Sequence, residues 1–152
     1  MNDISVDSDE RIAESKILVV DDNEQNLELL VAYLETLNCP VVTAFDGVDA
    51  LEKVASEKPD LILLDIMMPR MSGFEVCRKI KSDPTTRDIP VIMVTALNEL
   101  TDIERGVESG TDDFITKPVN RLELTTRVKS LLKVRNLKSE LDRTLAYLSQ
   151  VE

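Results

Sequence analysis

Histidine is absent from the 152 residues, and so is tryptophan. Without imidazole the chain cannot run His-based acid–base chemistry or bind zinc through His ligands. Cysteine is nearly as scarce: Cys39 and Cys77 stand alone, with no CxxC spacing. Two isolated thiols are expected to fill core rather than to hold a metal or redox centre. Only four glycines occur, and no Gly-rich or Ser/Thr-rich loop follows the first apolar run. That argues against a flavin or nucleotide site built on a phosphate-cradling loop. No apolar run approaches the ~20 residues that span a bilayer. The polar, acidic start has neither the basic flank nor the apolar centre of a signal peptide. The expected location is the cytoplasm, with no membrane partner.

Positive charge is in deficit too. Eighteen Lys and Arg face 29 Asp and Glu, a net charge of −11. Such a chain is expected to be repelled by nucleic acid and by anionic surfaces, so no nucleic-acid partner is expected. The deficit is uneven. Residues 119–152 carry seven basic and four acidic side chains, a net of +3, which leaves −14 on residues 1–118. What remains is an ordinary globular composition, 43% hydrophobic and 31% charged, long enough for one domain and a short extension.

Apolar runs at 17–20, 41–44, 61–64 and 91–94, with a mixed run at 113–116, have the length and continuity of strands buried on both faces. Between them lie helical stripes: Leu27, Leu30, Val31 and Leu34; Val48, Leu51 and Val54; Phe74, Cys77 and Ile80; and a weaker one over 101–109. A long helical stretch begins near Val119. Breakers fall between elements: Asn38 and Pro40, Lys58-Pro59, Asp83-Pro84 and Gly110. Ser72 and Glu75 have capping-box spacing. Strand–helix repeated five times predicts an α/β fold, a doubly wound five-stranded parallel sheet with an extended C-terminal helix.

In such folds ligands sit outside the carboxyl ends of the strands, where strand order reverses. The residues placed there are Asp21-Asp22, Asp65, Thr95 and Lys117-Pro118; the second run ends without a comparable group. For the flavodoxin-like order 2-1-3-4-5 the reversal lies between the first and third strands, where the three aspartates converge. Three crowded carboxylates cannot all stay ionised unaided, and a hard, hydrated cation such as Mg²⁺ relieves them. The same ion can neutralise a phosphoryl group transferring to a carboxylate oxygen, with charge from Lys117 and a hydroxyl from Thr95. Singly, each residue has a plainer role: Asp as a helix cap, Thr as a strand end, Lys-Pro as a turn. The set is what points to chemistry.

The strings ILVVDDN (17–23), DLILLDIMMPRMSGFE (60–75), VIMVTA (91–96) and DDFITKP (112–118) resemble the receiver domains of bacterial two-component response regulators. The resemblance covers about residues 16–133, leaving a polar extension at 1–15 and a helical extension at 134–152. It implies that Asp65 accepts phosphate from a sensor histidine kinase or phosphotransfer protein, and that the chain is a switch rather than a turnover enzyme. It further implies that Asp22, Asp65 and the backbone carbonyl of Met67 bind Mg²⁺, with Asp21 acting through metal-bound water. Thr95 and Lys117 would hold the phosphoryl oxygens, Phe114 would be the switching aromatic, and the Lys117-Pro118 bond would be cis. Phe114 stands where more familiar members have Tyr. Met67 and Leu97, two residues after Asp65 and Thr95, offer no group to orient water. Haloacid-dehalogenase-like phosphatases share an Asp nucleophile, Mg²⁺, Thr and Lys, but need a second carboxylate where Met67 stands.

Val134, Leu137, Leu141, Leu148 and Val151 fit an a/d heptad interrupted at Thr144, with Leu145 beside it. This predicts a coiled-coil homodimer through the C-terminal helix. RVKSLLKVRNLKSEL also resembles the connector into output domains of cyclic-di-GMP-type regulators; no output domain or winged-helix DNA-binding segment is expected in the chain itself.

Overall fold

The computed structural model describes residues 12–96 and 100–151. Five parallel strands alternate with helices: β1 (Ile17–Val20), α1 (Glu24–Leu34), β2 (Val41–Ala44), α2 (Gly47–Glu57), β3 (Leu61–Asp65), α3 (Gly73–Ser82), β4 (Val91–Thr95), α4 (Leu100–Ser109), β5 (Asp113–Thr116) and α5 (Arg121–Val151). The strand order is 2-1-3-4-5, so the reversal lies between β1 and β3, as the sequence pattern anticipates.

β1, β3 and β4 are buried at every residue, whereas the edge strands β2 and β5 are partly exposed. Period-2 geometry sends alternate side chains to opposite faces. Leu18, Val20, Ile62, Leu64 and Met93 meet Ala50 and Val54 of α2 and Phe74, Cys77 and Ile80 of α3. Ile17, Val19, Leu63, Ile92 and Val94 meet Leu30 and Leu34 of α1 and Leu124, Val128 and Leu132 of α5. α4 lies beside α3. Ile12, upstream of the apolar run, is buried in the second cluster, and its carbonyl accepts from the Cys39 thiol at 2.8 Å. The packed unit thus begins before Lys16.

Local chemistry sets the element ends. Asn23, Asp46 and Ser72 cap α1, α2 and α3 by accepting from the backbone N–H three residues on. A short 3-10 turn, Glu35–Leu37, extends α1, and Asn38 ends it in the left-handed region at φ 58°. Lys58 closes α2 in the same region, at φ 49°. β3 and β4 each run one residue beyond the apolar run, so Asp65 and Thr95 are ladder residues, paired with Val94 and Thr116.

α5 is the outlier in length. Thirty-one residues span about 46 Å at 1.5 Å per residue, whereas four- and five-residue strands reach only ~13–17 Å. Its second half therefore runs past the amino ends of the strands, away from the aspartates. Arg135 and Lys138 fasten it as it leaves: Arg135 Nε lies 3.4 Å from Asp60 Oδ1, and Lys138 Nζ lies 3.1 Å from Asp88 Oδ1.

Candidate functional site

The turn after β1 carries two adjacent aspartates with different surroundings. Asp21 is 1% exposed. Its N–H prolongs the β1–β2 ladder to the Ala44 carbonyl at 3.1 Å, and its Oδ1 accepts from the Asn23 N–H at 2.9 Å. Asp22, next along the chain, is exposed. Across the crevice Asp65 ends β3 with its side chain facing the pair. Oxygen atoms of Asp21, Asp22 and Asp65 lie within 4.8 Å of one another, close enough to share one cation.

Lys117 reaches this cluster from the far edge of the sheet. Its Nζ is 3.4 Å from Asp21 Oδ2 and 3.5 Å from Asp65 Oδ1. The Lys117 N–H donates to the Thr95 carbonyl at 2.8 Å, and the following Lys117-Pro118 bond is cis. The single cation does not balance the site. Burial of Asp65 pushes its carboxyl pKa from 3.8 to about 6; the charges of Asp21 and Asp22 add to the rise and Lys117 opposes it. A second positive charge beside Asp65 relieves that penalty, and a divalent cation on the three carboxylates supplies one.

Thr95 is buried at the end of β4, paired across the ladder with Thr116, the residue before Lys117. Met67 lies in the β3–α3 loop with its side chain 65% exposed. Phe114 is half-buried against the core cluster shared by α2 and α3. Leu97 lies outside the described residues.

Two residues that shape the site escaped the sequence reading, and both are glycines at close approaches. A Cβ on Gly73 would lie 2.3 Å from the Asp65 carbonyl oxygen and 2.8 Å from Ile66 Cα. The first turn of α3 is thus pressed onto the strand that presents Asp65, and the Gly73 N–H donates to the Ile66 carbonyl at 2.9 Å. The intervening loop turns through Arg70 at φ 70°. A Cβ on Gly106 of α4 would lie 2.2 Å from Phe114 Cζ, so the ring lies flush against the α4 backbone. The sequence signal for Gly73 was present in the string MSGFE; Gly106 left none beyond being a glycine within a helix.

Beside the aspartates opens a cleft of about 420 Å³, lined by Asp22, Met67, Pro69, Phe74, Asp102 and Arg105. The Arg105 guanidinium sits 4.4 Å above the Phe74 ring. A cavity of about 530 Å³ at the opposite end of the sheet lies among Val54, Lys58, Asp88, Arg135 and Lys138. Arg135 and Lys138 there are engaged with Asp60 and Asp88, so the convergent chemistry is at the carboxyl ends of the strands.

The family described as "Response regulator receiver domain" matches residues 17–129. Response regulator PleD of Caulobacter vibrioides is 51% identical over 127 residues, 84% of this chain and 28% of that protein. The DNA-binding dual master transcriptional regulator RpaA of Synechocystis is 40% identical over 118 residues, 78% of this chain and 49% of that protein. The chain thus spans between about a quarter and a half of these relatives. Among solved structures, the receiver domain of a Pseudomonas aeruginosa sensor histidine kinase, with a magnesium ion coordinated in its active-site cleft, superposes with a TM-score of 0.73. It is 29% identical and covers 78% of this chain and 98% of its own.

Proposed function

The chain belongs to the response regulator receiver domain family, the phosphoacceptor switch of two-component systems, and from that membership we propose that Asp65 is the carboxylate that accepts the phosphoryl group. The observation that carries the assignment is the setting of Asp65: a buried carboxyl at the strand-order reversal, 3.5 Å from Lys117 Nζ, sharing one cation-sized space with Asp21 and Asp22. The receiver would span about residues 16–133, with Ile12 of the preceding segment packed into its core, and residues 134–151 would be a helical extension of it. The chain is a switch rather than a turnover enzyme, and works in the cytoplasm.

Mg²⁺ fits the site, because the three carboxylates are crowded and Asp65 is already pushed toward protonation. Asp22, Asp65 and the Met67 carbonyl would hold it directly, and Asp21 through water. Bound there, it neutralises charge on the transferring phosphoryl oxygens. The rest falls to the chain's own residues. An oxygen of Asp65 attacks phosphorus; the bond from phosphorus to the donor's imidazole nitrogen breaks, and that nitrogen leaves with its electron pair and takes up a proton. Lys117 places a positive charge beside the new acyl phosphate, and the Thr95 hydroxyl donates to a phosphoryl oxygen. The donor would be a sensor histidine kinase or phosphotransfer protein, as membership of the family implies.

The new group adds about −1.5 to −2 charges beside Thr95 and Lys117. Drawing Thr95 toward it frees space into which the Phe114 ring turns, away from Gly106, which alters the face made by α4, β5 and α5. The negative charge of residues 1–118 disfavours nucleic acid on the receiver body. It bears on this segment alone, because RpaA, named as DNA-binding, extends well beyond the matched part.

Asp65→Asn tests the assignment. Incubated with acetyl phosphate and Mg²⁺, wild type is expected to take up one phosphoryl group and then stop, and the variant none. Undiminished labelling of Asp65→Asn would refute the acceptor; turnover of many equivalents by wild type would show a hydrolase instead.

A further inference from the structure

The second half of α5 leaves the body with an apolar face that no described residue covers. The packed face is a narrow stripe, Leu124, Val128 and Leu132, each four residues from the next. Beyond it Val134, Leu137, Leu141, Leu145 and Leu148 are 52–63% exposed. At about 100° per residue these five fall within an arc of roughly 80°, turned about 140° from the packed face. In the half of α5 that lies on the body, the same arc carries Glu123, Arg127 and Ser130. The apolar stripe therefore begins as the helix passes the amino ends of the strands, on the side away from Ser139 and Asp142, which still line a cavity with Val54 and Lys58. Arg135 and Lys138 hold the helix at that exit, and it continues unbroken to Val151, so its own domain cannot fold onto the stripe.

The spacing of the stripe is three, four, four and three residues. From Val134 to Leu145 is eleven residues over three turns, or 3.67 per turn, close to the 3.6 of a straight helix. A heptad needs an apolar residue at 144, and Thr144 is there; an eleven-residue repeat uses Leu145. The occupant that fits is another helix of the same kind. The stripe is purely aliphatic, so it matches itself. Lys133, Lys138, Glu140 and Asp142 flank it with both signs, so no net potential selects an acidic or basic partner. Two such stripes, at about 100 Å² per exposed side chain plus flanking residues, remove roughly 1,000–1,200 Å² from water, the lower bound for a specific interface. Because the packed face points away from the stripe, the two bodies fall on the outer sides of the pair and do not collide.

We propose that residues 134–151 pair with the same segment of a second copy of this chain, in an eleven-residue register through Val134, Leu137, Leu141, Leu145 and Leu148. The pairing is independent of the phosphoacceptor assignment, and its failure would leave Asp65 untouched.

The test is sedimentation equilibrium of the full chain and three single variants. Wild type is expected to reach the mass of two chains as concentration rises. Leu141→Asp is expected to weaken association ~100-fold or more, with unchanged circular dichroism and unchanged labelling by acetyl phosphate. Leu145→Thr is expected to weaken it ~10-fold, and Thr144→Leu to leave it unaltered. A wild-type mass of one chain up to the solubility limit would overturn the pairing, as would a dimer indifferent to Leu141→Asp. Tightening by Thr144→Leu with no effect of Leu145→Thr would overturn the register and restore the heptad.

Discussion

Asp65 is held in an environment that suits its charge only when a further cation is present. In metal-free protein its carboxyl, at about 6, sits above the 3.8 of an unperturbed aspartate because of burial and the neighbouring aspartates. Between those values the folded state binds more protons than the unfolded state, so this group makes stability fall as pH rises from about 4 to 6. Below that window it is protonated in both states and costs nothing; above it the full penalty of about 3 kcal/mol is present. Urea melts in chelator should therefore show metal-free Asp65→Asn gaining about 3 kcal/mol on wild type between pH 3.5 and 7. Stability curves for the two proteins that stay parallel across that range would place Asp65 in an ordinary, solvated setting. Asp22 is expected to act through the ion rather than the fold. Mg²⁺ at 100 times its dissociation constant should stabilise wild type by about 2.7 kcal/mol, and Asp22→Ala should lose most of that gain while remaining at least as stable without metal. A clear loss of metal-free stability would make Asp22 a structural residue.

The elements were largely legible, because apolar runs of four residues separated by amphipathic stripes leave few folds open. The carboxylates, the lysine and the threonine were legible for the same reason: each follows a run whose end is a strand end. Less legible were contacts between elements. Ile12 is buried although it lies outside any apolar run, since its burial depends on where α1 and α5 lie. Gly106 matters only because the Phe114 ring crosses it. That contact makes a signed test. In wild type, Gly106→Ala should cost about 1–3 kcal/mol by forcing the ring aside. In a Phe114→Ala background the same change should stabilise by about 0.5–1 kcal/mol, the ordinary gain of Ala over Gly within a helix. An equal effect in both backgrounds would place the ring elsewhere. Along α5 the division between halves is also measurable. Leu132→Ala, in the packed stripe, should cost about 2–5 kcal/mol, whereas Leu141→Ala should leave the melting of the body unchanged.

On the scale of the whole molecule, the parallel sheet separates two features along one axis. Its carboxyl ends gather Asp21, Asp22, Asp65 and Lys117, and α5 carries the exposed stripe away beyond its amino ends. Charge does not follow that division: the +3 of residues 119–152 lies on 119–133, the half of α5 against the body, and residues 134–152 are neutral. On the body itself, Arg127 of α5 grips Asp113, the first residue of β5, at 2.7 and 2.8 Å, one residue before Phe114. The most direct measurement lies at the acid cluster. Protein is labelled with acetyl phosphate, the acyl phosphate is reduced with borohydride, and the modified residue is located by peptide mass spectrometry, with and without chelator. The expected result is modification of Asp65 alone, dependent on Mg²⁺. Modification of another carboxylate, or labelling of Asp65 that chelation does not diminish, would contradict the assignment of this site.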